Sequence, residues 1–221
     1  MTPLALYGLF RADVVDTSAP YLWSDVEVWS YMTDAESMFC QLTGGLQDST
    51  STLCELPITS GEKTAPYSQK IMNIRGAALR STERDVKVLN YEDLSHADNS
   101  RQYTRQYMNT AGPVLAIVIG MDEGLIRLVQ VPEADDTIDL VIDRLPLEAL
   151  TTEAEFEVAE QHQRALMLWM KHLAYSKQNA DTYDKTSAAE EMAKFTAYCA
   201  LAKIAKSQRK HKPRLISYGG L

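Results

Sequence analysis

Helix-type and strand-type hydrophobic patterns occupy separate parts of this 221-residue chain. Between residues 25 and 46, apolar side chains recur at spacings of four and three, which places them on one face of a helix. From residue 49 to residue 146, short β-branched runs alternate with turn residues, as expected for strands. Helical spacing returns after residue 151. The pattern predicts an α+β fold, namely a mainly helical bundle with an inserted antiparallel β lobe.

Capping signals define two helices in the N-terminal part of the chain. A Thr-Pro pair at positions 2–3 is typical of a helix start and predicts a short helix to about Val14. Ser24 and Glu27 have the spacing of a capping box, in which each side chain accepts a hydrogen bond from the other residue's amide. The glycine pair at 44–45 follows, and glycine readily adopts the left-handed conformation that ends a helix. The second helix is therefore predicted over about 25–43.

The middle of the chain is predicted to contain six strands. The last of them is the clearest, because its apolar residues alternate with aspartates, as expected for a strand with one face exposed to solvent. Turn residues at 122–124 and 132–136 indicate an antiparallel meander at the end of this region. The polar stretch 95–110 fits either a short helix or a loop. The predicted strands span residues 53–58, 71–79, 86–89, 114–119, 125–131 and 138–145.

The C-terminal part is predicted to be a helical hairpin. Thr152 and Glu155 repeat the capping-box spacing ahead of an apolar stripe. The pattern breaks at 179–181, where Asp181 is expected to cap a second helix. Two long helices joined by a short turn form an antiparallel hairpin, which is expected to pack on the helix at 25–43. The stripe of the second hairpin helix is Ala188, Met192, Phe195, Cys199 and Ala202.

The sequence contains no pattern that indicates catalysis, a metal site or a membrane segment. It lacks the phosphate-loop, dinucleotide, nucleophile-elbow and zinc-protease motifs, so no enzyme activity, cofactor or metal is predicted. His162 and His172 are expected to be ordinary surface residues, and Cys40 and Cys199 small core residues. The longest apolar run, 114–121, is far shorter than the roughly 20 residues of a membrane helix. The N-terminus lacks a secretory signal, and the scattered cysteines favour synthesis in a reducing compartment.

Charge is unevenly distributed along the chain. Six of the 22 basic residues and none of the 30 acidic residues lie in 203–221, so residues 1–202 have a net charge of −14. An acidic body repels the phosphates of nucleic acid, whereas the basic end could attract phosphates or an acidic protein surface.

A basic cluster followed by apolar residues forms the end of the chain. Pro213 prevents the last helix from continuing. The segment is either a frayed terminus or a docking arm, in which charge steers the approach and a short extended segment anchors on another chain. The predicted docking residues are Arg209, Lys210, Lys212, Arg214, Leu215, Ile216, Tyr218 and Leu221. The chain is thus predicted to comprise N-terminal helices (1–48), a β lobe (49–150), a helical hairpin (151–206) and an extended docking tail (207–221).

Aromatic residues cluster around the start of the helix at 25–43. They are Tyr21, Trp23, Trp29 and Tyr31. The favoured interpretation is a hydrophobic staple, in which residues before a helix pack on its first turn. The alternative is an exposed anchor for a partner protein or a neighbouring subunit.

Several segments, spread over nearly the whole chain, resemble one known family. They are Phe10-Arg11-Ala12-Asp13-Val14, Asp16, Pro20-Tyr21-Leu22-Trp23-Ser24-Asp25, Glu27, Tyr31, Asp34-Ala35-Glu36, Pro132 to Asp135, Arg144-Leu145-Pro146-Leu147, Leu168-Trp169, Asp181-Thr182-Tyr183-Asp184 and Phe195. With these motifs the chain is similar to the adaptor, or head–tail connector, proteins of tailed bacteriophages.

The resemblance implies a structural protein of the virion neck, made in the cytoplasm of the bacterial host. Copies would form a ring, usually dodecameric, below the portal protein and above tail or nozzle proteins, and DNA would pass through without specific binding. No enzyme activity, cofactor or membrane contact is implied, and the basic tail becomes the portal-docking element. An acidic lumen suits DNA ejection, because each phosphate contact would retain the DNA. A single copy is expected to be monomeric until the portal templates the ring.

Two other interpretations stay open at this point. A nucleic-acid-binding module that uses the basic tail predicts DNA affinity that falls steeply with salt. A small hydrolase would need paired carboxylates that converge in a cleft of the β lobe.

Overall fold

A computed structural model describes residues 1–92, 105–178 and 182–210 of the chain. The chain divides into two compact units, a helical unit (Met1–Gly45 with Pro146–Leu221) and a sheet unit (Leu46–Leu145). The fold is α+β, as the sequence predicts. The division into four segments, with a docking role for the last of them, stays a prediction.

Helix ends in the N-terminal part follow the local capping signals. The helices are α1 (Pro3–Asp13), α2 (Asp25–Thr43), α3 (Arg105–Met108, in the sheet unit), α4 (Glu160–Gln163), α5 (Leu166–Ser176) and α6 (Lys185–Lys210). The Thr2 hydroxyl accepts from the Ala5 amide at the start of α1. Ser24 and Glu27 form the reciprocal capping box of α2, and Gly44 ends α2 with a φ of 80°. Both predicted N-terminal helices are confirmed.

The two long C-terminal helices, α5 and α6, run antiparallel and pack on each other and on α2. His172 Nδ1 lies 2.9 Å from the Ala188 carbonyl oxygen, and the Trp169 and Phe195 rings are 5.3 Å apart one turn away. The predicted hairpin and its packing on the second helix are confirmed. The expectation that His162 and His172 are surface residues is wrong, because both are half-buried and a ring nitrogen of each contacts α6.

The predicted capping box at Thr152 and Glu155 is wrong. Residues 151–159 contain no helix, and α4 starts only at residue 160. Two amides of this segment donate instead to the buried carboxylate of Glu36 in α2. A long-range acceptor therefore overrides a local helix signal, as tertiary contacts often do.

The start of α6 also differs from the prediction. The helix begins at Lys185 and its cap is Asp184, whose carboxylate accepts from two amides of the first turn. The predicted cap, Asp181, lies outside the described residues. Along the predicted stripe Phe195 is fully buried, but Met192, at the edge of the stripe, is 46% exposed.

The described part of the sheet unit contains eight strands in one mixed, curled sheet. They are β1 (Leu46–Asp48), β2 (Glu55–Ile58), β3 (Thr64–Pro66), β4 (Ile71–Leu79), β5 (Arg84–Asn90), β6 (Ala116–Asp122), β7 (Leu125–Val129) and β8 (Asp136–Arg144). The order is β1-β8-β4-β5-β6-β7-β3, and β2 also pairs with β8. All pairs are antiparallel except β5 and β6, in which Lys87 lies opposite Ala116.

The sheet corrects the predicted β lobe in three respects. It is a substantial eight-stranded layer, so the chain is not mainly a helical bundle. It is mixed, because the long connection between β5 and β6 returns the chain in the same direction. The hairpin of β6 and β7 around Gly124 is confirmed, but the meander is wrong, because β8 pairs with β4 and not with β7. Of the undecided stretch 95–110, residues 105–108 are helical and 95–104 lie outside the described residues.

Candidate interaction surface

A buried arginine organises the N-terminal part of the helical unit. The Arg11 side chain, on α1, is only 6% exposed. Its Nη1 donates to the Asp16 carboxylate and to the Trp23 carbonyl oxygen at 2.6 Å. Its Nη2 donates to Asp25 Oδ1 at 2.7 Å, and its Nε to the Tyr7 hydroxyl at 3.1 Å. One guanidinium thereby connects α1, the turn that follows it and the first residue of α2.

Asp16 completes this network from the opposite side. Its carboxylate accepts from the Leu22 amide at 2.9 Å and from the Trp23 amide at 3.4 Å, in addition to Arg11. The side chain of Asp16 is 2% exposed, so the ion pair with Arg11 is almost completely desolvated. The Pro-Tyr-Leu-Trp segment is therefore held by a single carboxylate from one side and a single guanidinium from the other.

The four aromatic residues singled out in the sequence lie in different environments. Trp23 is 2% exposed, and its indole nitrogen donates to the Ala174 carbonyl oxygen at 3.1 Å. Tyr21 is 45% exposed and its ring lies 4.2 Å below the guanidinium carbon of Arg11. Trp29 stacks on Tyr7 with the ring centres 5.6 Å apart. Tyr31 is half-buried, and burial raises the pKa of its hydroxyl. That any of them contacts another subunit stays a prediction.

A second buried carboxylate links α2 to the segment before α4. Glu36 is 1% exposed and accepts from the amides of Glu157 at 2.8 Å and Val158 at 3.0 Å. Burial raises the pKa of Glu36, while the two amides act in the opposite direction. The net shift is upward, so the ionised form of Glu36 is less stable in the folded chain than in water.

Glu36 variants are expected to separate the hydrogen-bonding role of this side chain from its charge. Because the folded pKa is raised, ionised Glu36 lowers stability increasingly as pH rises above its unfolded value, about 4.3. Glu36→Gln keeps an acceptor oxygen and should be at least as stable as the wild type at pH 7. Glu36→Ala removes the acceptor and should lose about 1–3 kcal/mol. Urea unfolding at pH 7 and pH 4.5 measures both, and an equal loss for the two variants at pH 7 would contradict the assignment.

The end of α6 is basic and largely exposed. Lys206 is half-buried because its ammonium donates to the carbonyl oxygens of Gly44 and Gly45, at the C-terminal end of α2. A cation in this position also complements the dipole of α2. Lys203 and Arg209 are exposed. The backbone contact of Lys206 has no counterpart in the sequence pattern, where this lysine is one of several in a basic run.

The structure reaches only the beginning of the predicted docking tail. Arg209 lies exposed in the last turn of α6, and Lys210 is the last residue of that helix. The helix thus extends past the predicted boundary at 206. The other predicted docking residues, Lys212, Arg214, Leu215, Ile216, Tyr218 and Leu221, lie outside the described residues.

In the sheet unit, Asp48 and Arg144 form a nearly buried ion pair. The Asp48 and Arg144 side chains are 6% and 10% exposed, and the Arg144 Nε donates to one Asp48 oxygen. The other oxygen accepts from the Thr50 amide at 2.9 Å and the Ser51 amide at 3.1 Å. Burial alone would raise the pKa of Asp48, but hydrogen bonds from Ser51, Thr50 and Arg144 outweigh it and hold the pKa far below its usual range.

An open cleft of about 340 Å³ in the sheet unit holds the carboxylates that a hydrolase would need. Their hydrogen bonds serve the local turns. Asp135 accepts from the Ser60 amide at 2.7 Å, and Asp136 accepts from the Ser81 hydroxyl at 2.6 Å. Burial would raise the pKa of Asp136, but the bonds from Ser81 lower it overall, which makes this group a poor proton donor near neutral pH.

Two further findings concern metals and membranes. Among the described residues, no three His, Cys, Asp or Glu side chains are grouped so that they could hold a metal ion. No helix within those residues is long and apolar enough to cross a membrane. Cys40, Cys54 and Cys199 are buried and form no disulfide bond, which agrees with the core position expected for Cys40 and Cys199.

A comparison with protein families identifies the class to which these features belong. The family model described as SU10 adaptor protein matches residues 1–215. The chain belongs to the SU10 adaptor protein family, and the resemblance to phage adaptor proteins is confirmed. Membership implies a structural, non-enzymatic role with partners in virion assembly. No curated protein matches the chain.

Proposed function

We propose that this protein is a head-to-tail adaptor whose copies form a ring, of twelve in the usual case, below the portal. The ring joins the capsid to the tail, contacts tail or nozzle proteins below, and lets DNA pass. The match of residues 1–215 to the adaptor family carries this proposal. The protein is made in the host cytoplasm and ends in the neck of the virion.

The charge distribution supports a conduit for DNA. Residues 1–202 have a net charge of −14, and a ring multiplies this charge around its lumen. Phosphates are repelled by such a surface, so DNA can move without the salt-dependent attachment that basic residues would create.

The basic end of the chain is proposed as the portal-docking element. Arg209 is exposed at the end of α6, and Lys210, Lys212 and Arg214 continue the charge along the sequence. These charges would steer the approach to an acidic portal surface, and the apolar residues Leu215, Ile216, Tyr218 and Leu221 would anchor the contact.

Removal of residues 207–221 is expected to abolish attachment to the portal while leaving the fold intact. The described side chains of this segment, at positions 207–209, are exposed, so the thermal unfolding midpoint should not change. Attachment is measured by native mass spectrometry of the chain mixed with the portal of the same phage. A control variant with glutamine at positions 209, 210, 212 and 214 should slow association and keep the apolar anchor. Truncated copies that still fill a ring on the portal would refute the docking role.

A DNA-binding measurement separates the proposed function from the nucleic-acid-binding alternative. The adaptor should show little affinity for duplex DNA at 50 mM or at 200 mM salt, concentrations between which a protein with several phosphate contacts loses roughly 10³–10⁵ in affinity. Tight binding at the lower concentration that disappears at the higher one would favour the alternative. In that case the truncation of 207–221 should remove the binding.

A further inference from the structure

The solvent side of α1 is entirely apolar over most of its length. Its exposed residues are Leu4 (55%), Ala5, Gly8, Leu9 (44%) and Ala12, followed only at the end of the helix by Asp13. We refer to these five residues as the α1 face. Because a surface helix normally presents polar residues to water, an apolar solvent side indicates that another protein surface covers it.

Gly8 gives an independent indication that another backbone approaches α1. Among the described residues, no atom beyond the backbone of its own helix lies within 4 Å of a Cβ built at this position. Glycine inside a helix is less stable than alanine by about 0.5–1 kcal/mol. Nothing among the residues that the structure describes requires glycine here, whereas close packing of a second helix against the α1 face would.

Val15, just beyond α1, extends the exposed apolar surface of this helix. Its φ is 56°, in the left-handed region that β-branched residues rarely adopt, and it is 84% exposed. Glycine or asparagine would adopt this conformation with less strain. The left-handed conformation closes a Schellman motif, in which the Val15 amide donates to the Ala12 carbonyl oxygen and the Asp16 amide donates to that of Arg11. The motif explains the backbone, and the exposed Val15 side chain adds apolar surface at the end of α1.

The C-terminal half of α6 carries the second exposed apolar helix face. Leu201 and Ile204 are 68% and 55% exposed, and Ala197, Ala200 and Ala205 are exposed on the same side. We refer to these five residues as the α6 face. In the helical unit α1 and α6 each pack on α2 and α5, and these contacts leave both faces exposed.

The charges that border the two faces are opposite in sign. Asp13 follows directly on the α1 face, and its side chain is 46% exposed even though it pairs with Lys171. Lys203 and Arg209 border the α6 face, and the sequence between Leu201 and the end of α6 contains no acidic residue. Complementary borders favour contact between unlike faces and oppose contact between like ones.

We propose that the α1 face of one copy packs against the α6 face of the next copy. Such a contact is heterologous: each copy uses one face of each kind, and repetition closes a ring when the rotation per copy permits. The inference rests on the proposed ring and assigns the surfaces that build it. The occupant of each face is therefore a second copy of this chain.

Two single variants test the contact without endangering the fold. Gly8→Lys improves helix propensity on an open surface, so the isolated chain should unfold at the same temperature or higher. Leu201→Glu alters a side chain that is 68% exposed. Each should reduce the apparent affinity between neighbouring copies on the portal by about tenfold or more. Substitutions at the centre of a protein interface typically weaken binding by this much. Val141→Glu, at a 43% exposed position of the sheet unit, is the control and should fill the ring normally.

Crosslinking identifies which faces meet. The double variant Leu9→Cys with Ile204→Cys, bound to the portal and treated with a bis-maleimide, should give a ladder of linked copies, because the three native cysteines are buried. Either single variant should give no product, and a mixture of the two should give dimers only. Dimers from a single variant would show contact between like faces and overturn the proposal, as would normal ring filling by Gly8→Lys and Leu201→Glu. Failure of the wild type to bind the portal would instead remove the proposed function and this inference together.

Discussion

Replacement of Arg11 by methionine is expected to lower the free energy of unfolding of the helical unit by about 3–5 kcal/mol, the loss found when one partner of a buried ion pair is removed. The Asp16 side chain is 2% exposed and would be left in the core without the guanidinium that compensates its charge. The same substitution frees the Trp23 carbonyl oxygen, which accepts from Arg11 at 2.6 Å. Arg11→Lys keeps the charge but not the planar fork, so an intermediate loss is expected.

Arg80→Met is the matched control for this measurement. Arg80 also pairs with two carboxylates, those of Glu55 and Asp139, but all three side chains are about half exposed. Solvent screens such pairs, so the control should lose only a small fraction of what the Arg11 variant loses. Urea unfolding followed by tryptophan fluorescence reports on the helical unit, because all three tryptophans, at 23, 29 and 169, lie there. Arg80 lies in the sheet unit, so the loss in the control is measured by far-UV circular dichroism during urea unfolding. Equal losses for the two variants would contradict the central role of Arg11.

Local signals predicted the N-terminal helices because each depends on neighbours in sequence. The capping box of Ser24 and Glu27 and the left-handed Gly44 involve residues three to four positions from their partners, and α2 has the predicted bounds. The Arg11 network could not be derived in this way. Its partners Asp16 and Asp25 lie 5 and 14 positions away, in or beyond a turn without periodicity. The resemblance named these residues, but not the contacts among them.

Strand pairing was predictable only where a tight turn dictates it. Gly124 joins β6 and β7, and that hairpin was predicted. The pairing of β8 with β4 joins residues that are about 60 to 70 positions apart, and no local pattern encodes such a contact. The three-residue strands β1 and β3 were missed, because an alternation needs at least four residues to be recognised.

The buried carboxylates show why the candidate surface was harder to predict than the helices. Glu36 satisfies amides 121 and 122 positions away, and Asp48 pairs with Arg144 at a separation of 96. From sequence each appears as one acidic residue among many. Because these carboxylates are buried, loss of their partners would strongly lower the free energy of unfolding. Their burial depends on the packing of segments that are distant in sequence.

Asp48→Ala is expected to have the largest effect in the sheet unit. It leaves the Arg144 guanidinium, 10% exposed, without its carboxylate and removes the acceptor of the Thr50 and Ser51 amides. The expected loss is about 3–5 kcal/mol. Asp48→Asn can still accept from the two amides and should lose less. Asp139→Asn, at a 49% exposed side chain of the same unit, is the control and should change little. Far-UV circular dichroism during urea unfolding follows the sheet, and an equally mild loss for Asp48→Ala and the control would contradict the prediction.

The Asp48 pair should also make the sheet unit sensitive to acid. Its folded pKa lies far below the unfolded value of about 3.9, so the folded chain retains the charge when the unfolded chain has already bound a proton. The pair therefore stabilises fully above about pH 5, and this contribution is lost progressively as pH falls further. Unfolding free energies at pH 7, 5 and 3 should fall more steeply for the wild type than for Asp48→Asn, so that the gap between them narrows toward pH 3. Parallel curves would show that Asp48 has no lowered pKa in the folded chain, and they would remove the electrostatic explanation while leaving the packing of the sheet unaffected.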